Sequence, residues 1–142
     1  MMRDNKGQVS LEYILIFTVS LILLIVFTMP LTHVAIENTM DVSDTLEVKS
    51  DLSKIANAIE KVYGQGQGSK QSVHIDSSKD RKINIENNYI SSNLKLADSS
   101  NKVEKIYFES TLPKSSIYIS KGENKIIVEW PVNSENMKIY AK

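Results

Sequence analysis

KGQVSLE, Lys6 to Glu12, followed by YILIFTVSLILLIVFTMPL, Tyr13 to Leu31, is the stretch on which the fold of this chain turns. The nineteen residues from Tyr13 to Leu31 carry no formal charge. A run of that length is enough for a membrane-spanning helix, whereas the apolar core of a cleavable secretory signal is about 7 to 15 residues. The stretch therefore reads as an anchor. Glu12 is its odd feature, a carboxylate set directly before the apolar run. An acidic or basic residue costs about 2.5 to 3.5 kcal/mol at the centre of a membrane helix and less near the interface. At its position Glu12 is tolerable but not free, and it also complements the positive end of a helix dipole.

Outward from this run, the polarity of insertion follows from flanking charge. Arg3 and Lys6 precede the span, and the next Lys or Arg is Lys49. By the positive-inside rule the N-terminus is expected in the cytoplasm and the remainder outside the cell. Pro30 lacks a backbone donor and clashes with the preceding turn, so a kink is expected there, with hydroxyls such as that of Thr28 easing the disruption. Beyond it Val42, Leu46, Leu52, Ile55, Ala56, Ile59, Val62 and Tyr63 recur mostly at three- and four-residue steps, the signature of an amphipathic helix. Gly64 and the GQGQGS stretch that it opens stop the helical pattern.

After the glycines the period changes to two. Val73 and Ile75, Ile83 and Ile85, Ile106 and Phe108, and Ile117 and Ile119 mark strands. SIYIS and KIIVEW joined by KGEN, Ser116 to Trp130, predict a hairpin, and Met137 to Tyr140 a last short strand. A sheet this small, in a chain without cysteine, needs the amphipathic helix to cover its apolar face. The expected fold class is α+β: a long, kinked N-terminal helix with a small antiparallel β-sheet head packed on its outer half.

Composition narrows function. Lys plus Arg and Asp plus Glu are each 17, so no overall basic excess favours nucleic acid or a polybasic grip on membranes. The absence of cysteine excludes disulfides, thiolate metal sites and thiol nucleophiles. The two histidines, His33 and His74, are far apart in sequence. GQGQG follows a helix and precedes a strand, the reverse of a nucleotide-binding context. No catalytic motif is present, and no enzyme activity, cofactor or metal is expected. Asp41, Asp44, Glu47 and Asp51 fall at three- and four-residue steps and read as a solvated helical face rather than a cation site.

Lys6-Gly7, then Gln8-Val9-Ser10-Leu11-Glu12 and an apolar helix, resembles the class III signal peptide of archaeal type IV pilin-like proteins of the euryarchaeal Gln-x-Ser-x-Glu type. The stretch from Ile55 to Val73 is also similar to the segment following the stem in many such proteins. The resemblance implies a class III prepilin peptidase that cuts between Gly7 and Gln8, with Lys6, Gly7 and Gln8 as processing residues. It further implies assembly through Gln8, Ser10 and Glu12, the carboxylate neutralising the new N-terminal ammonium of a neighbouring pilin subunit. An N-terminal glutamine can cyclise to pyroglutamate, which removes that ammonium and leaves Glu12 to find another donor.

The expected organisation is a cleaved leader, 1–7; a transmembrane and filament-core helix, 8–36; an amphipathic stem helix, 37–63; and a β-rich head, 64–142. The expected partners are the membrane, the peptidase and pilin subunits, this chain included. The expected location is a single-pass precursor that becomes a cell-surface filament. The competing reading is a monomeric membrane-anchored module whose head binds or senses an external ligand without entering filaments.

Overall fold

The computed structural model describes residues 5–142, with side chains from Ser10 onward. Met1 to Asp4 of the expected leader, and the side chains of Lys6 and Gln8, lie outside the described residues. A helix, α1 (Asn5–Gln65), is followed by seven strands. The chain divides into two compact units, Met1–Met40 and Asp41–Lys142.

Within the second unit α1 is held by a narrow apolar seam. Val48, Leu52, Ile55, Ile59 and Val62 are buried, and their steps of four and three keep them on one face. The buried seam differs from the expected stripe at both ends. Leu46 is 61% exposed and Val42 is also exposed. They lie roughly 120° to 160° round the helix from Val48 at about 100° per residue, so no one face can bury all three. Tyr63 is half-exposed, with its ring stacked on Trp130 at 5.9 Å and 5° between planes. The helix also runs through Gly64. It ends where Gly66 takes φ 82° and its N–H donates to the Val62 carbonyl at 3.0 Å, a left-handed cap that glycine adopts without strain.

The strands are β1 (Lys70–Ser77), β2 (Arg81–Ile85), β3 (Tyr89–Lys95), β4 (Asn101–Tyr107), β5 (Ser115–Ile119), β6 (Gly122–Glu129) and β7 (Lys138–Ala141). They form two antiparallel sheets instead of one, with orders β1-β6-β7 and β4-β3-β2-β5. Ile75, Ile126 and Val128 of the first sheet and Ile83, Ile85, Ile90, Ile117 and Ile119 of the second join the helical seam in one core.

The hairpin expected over Ser116 to Trp130 is not formed. β5 pairs with β2, setting Ile117 opposite Ile83, while β6 pairs with β1 and β7. The intervening corner explains the divergence. The Asn124 amide donates to the carbonyls of Ser120, at 2.6 Å, and Gly122, at 2.8 Å, so the corner is closed by a side chain and not by β5–β6 pairing. Gly122 turns the chain at φ 99°. β3 escapes the apolar period because Ser92, wholly buried, occupies a core position between Ile90 and Leu94. Its hydroxyl donates to the Lys82 carbonyl at 3.2 Å.

The acidic row expected as a solvated face instead docks the helix onto two turns of the head. Asp41 accepts the Ala97 amide at 2.9 Å, and Asp44 pairs with Lys79. Glu47 accepts the Ser78 amide at 3.0 Å and the Arg81 guanidinium at 2.5 Å. Asp51, almost fully buried, lies 3.5 Å from Arg81 and 3.4 Å from Lys54. Partial burial pushes the Glu47 carboxyl up, but the Ser78 amide and Arg81 outweigh it and hold it below its usual value. At Asp51 burial wins over Lys54 and Arg81, and the carboxyl is raised.

Two outcomes are expected for the full chain in neutral detergent. Leu52→Ala should lower unfolding stability by about 2 to 5 kcal/mol, whereas Leu46→Ala should change it by less than about 0.5; comparable losses would misplace the seam. The two central carboxylates should respond to pH with opposite sign. Glu47 contributes stability above its unfolded value of 4.5 that is lost as pH falls through its depressed folded value. Ionising Asp51 costs stability as pH rises from its unfolded value of 3.8 through its raised folded value. Thermal melts should therefore show the Glu47→Gln deficit shrinking in acid and Asp51→Asn gaining on wild type as pH rises; the same sign for both would contradict the assignment.

Candidate functional site: the N-terminal helix

α1 is helical through the whole apolar run because Leu, Ile, Val and Phe leave no competing polar contact and Pro30 is the single interruption. Every residue from Ser10 to Ile36 is exposed, including Leu11, Tyr13, Phe17, Leu24 and Phe27. In length and composition this is one helix apolar enough to cross a membrane. An apolar surface of that extent calls for lipid or for other helices as its surroundings.

The threonine hydroxyls in the run and just past it are turned back onto the helix. Thr18 donates to the Ile14 carbonyl at 2.8 Å, Thr28 to that of Leu24, and Thr32 to those of Thr28 and Met29 at 3.0 and 2.8 Å. Each such bond satisfies a donor that hydrocarbon cannot satisfy. Thr28 and Thr32 flank Pro30, and the helix runs across it without a break. Thr32 shares the role that the sequence suggests for Thr28, one four-residue step further along the helix.

Glu12 is exposed, as is Ser10, and both lie near the start of this surface. From Tyr13 the next acidic residue is Glu37, which sits 3.6 Å from His33 on the same helix. Gln8, four residues before Glu12, belongs to the same helix one turn earlier, its side chain outside the described residues. The other histidine, His74, is exposed on β1 opposite Lys125. Among the described residues no three His, Cys, Asp or Glu side chains form a group that could hold a metal ion.

Comparison with known families matches residues 5–31 to the Class III signal peptide. No curated protein matches the chain, and no solved structure matches it. A class III signal peptide, prepilin-type, implies a prepilin peptidase substrate that is associated with the membrane and exposed at the surface. Together with the long N-terminal helix and the β-sheet head, it makes the chain pilin-like in organisation.

Proposed function

We propose that this chain is the precursor of a structural subunit of an archaeal type IV pilus-like surface filament. The observation that carries the reading is the class III signal match over residues 5–31 on a helix whose apolar surface is exposed from Ser10 to Ile36. In this reading the peptidase cuts between Gly7 and Gln8 on the cytoplasmic side. Glycine before the cut brings no side chain into the protease, and Lys6 stays with the discarded leader, 1–7. Residues 8–36 then remain as anchor and filament core, residues 37–63 as stem and residues 64–142 as head.

Removal of the leader leaves a new amino group at Gln8, one turn from Glu12. In the low dielectric between bundled helices a carboxylate and an ammonium attract strongly, and either one left alone is costly. Glu12 thus sets the register at which a subunit leaves lipid and joins its neighbours, with Ser10 as an added hydrogen-bonding group. If Gln8 cyclises, the lactam N–H or a hydroxyl of the next subunit takes the place of the ammonium. Pro30 supplies a point at which the helix can bend as it is packed.

The test is incorporation. Filaments sheared from cells producing the wild-type chain should contain it, and Glu12→Ala should be made and processed normally yet fall at least tenfold in the filament fraction. Normal incorporation of Glu12→Ala, or a wild-type chain that is processed and stays wholly in the membrane, would overturn the reading in favour of a monomeric tethered module.

A further inference from the structure

The second sheet has an outward face that neither the core nor the helix uses. Alternation along its strands sends Ile83, Ile85, Ile90 and Ile117 into the core and their neighbours to the other side. On that other side the register sets the outward residues in four rows. At one end Tyr107 of β4 stands opposite Tyr89 of β3, with ring centroids 5.5 Å apart and planes tilted by 52°. In the middle Lys105, Ser91, Asn84 and Ser116 run across all four strands. Toward the other end Lys82 stands opposite Tyr118 of β5, and Lys95 of β3 stands opposite Asn101 of β4.

The chemistry of this face is selective. Tyr107 and Tyr118 are 65% and 61% exposed, so two aromatic rings at diagonal corners are presented to solvent. The row between them carries the Asn84 amide and the Ser116 hydroxyl beside Lys105, with Ser91 buried at its floor. Lys105 holds its ammonium 5.0 Å from the centroid of the Tyr89 ring. Neither Lys82 nor Lys105 enters an ion pair among the described residues. In a chain whose charges balance overall, no outward position of these four strands is Asp or Glu.

We infer that this face is a binding site for an acidic polysaccharide. Sugar rings present apolar C–H faces that stack on exposed tyrosines, and their hydroxyls suit Asn84 and Ser116, which can both donate and accept. Uronate carboxylates match the unpaired lysines. At about 3.3 Å per residue and 4.8 Å per strand, Tyr89 and Tyr118 are roughly 16 Å apart, so the ligand is a chain of several sugars rather than one. A nucleic acid strand fits less well: Lys82, Lys95 and Lys105 lie on three different strands and in three different rows, too few and too scattered to follow its regular backbone charge.

The test uses the full chain in a neutral detergent, immobilised and titrated with polygalacturonate, with dextran as neutral polymer and oligo-dT as anionic strand. Binding of polygalacturonate that weakens with salt, with dextran and oligo-dT at least tenfold weaker, is the expected result. Tyr118→Ala and the pair Lys82→Glu with Lys105→Glu should each weaken it at least tenfold with unchanged thermal melts, while Lys125→Glu on β6 should not. No binding, equal or tighter binding of oligo-dT or dextran, or retained affinity in the face variants would overturn the inference, as would tyrosine variants that alter self-association alone. None of these outcomes bears on filament incorporation, which is measured in cells.

Discussion

One helix in this chain must meet the demands of two different surroundings, and everything else in the structure follows from how it does so. From Ser10 to Ile36 it is exposed and apolar, with its threonine hydroxyls folded back onto its own carbonyls. From Val48 to Val62 one face, the seam, is apolar, Ala56 and Ala58 included, because that face meets the sheets. Neither sheet, of three and of four strands, could bury its inner face without that seam. The head is therefore a cover for the end of the anchor helix as much as a domain in its own right.

Polar contacts fix where the cover sits. Hydrophobic burial is non-directional and would permit the sheets to slide along the seam. Asp41, Asp44 and Glu47 meet the turns that follow β1 and β3 at defined points, and Arg81 at the start of β2 lies between Glu47 and Asp51 at the margin of the core. Asp51 shows what this costs: buried beside an arginine it does not bond closely, it is held above its ordinary ionisation range. The clamp is thus an instrument of register more than of stability.

Much of this was legible in the residues. The uncharged run after Glu12 and the change from helical to alternating period separate helix from head, and Ile83, Ile85, Ile117 and Ile119 mark their strands without structure in hand. β3 was not legible, since Ser91 and Ser92 break its apolar rhythm and their burial depends on neighbours far along the chain. The pairing of β5 was not legible either. Its short connection to β6 favours a hairpin locally, and the preference is overridden by Asn124 and by the match of Ile117 to Ile83. The acidic row was misread for a related reason: spacing places carboxylates on one face but says nothing of the turns brought against it. At the N-terminal segment the motif Gln8 to Glu12 was plain, while its use depends on a protease and on neighbouring chains.

The measurement that bears most directly on a retained, processed anchor is the intact mass of the chain purified from cells that possess the peptidase. The expected mass is that of a chain beginning at Gln8 or its pyroglutamate and recovered with membranes or filaments. A chain beginning at Met1, or one released into solution with its first residue beyond Leu31, would contradict it.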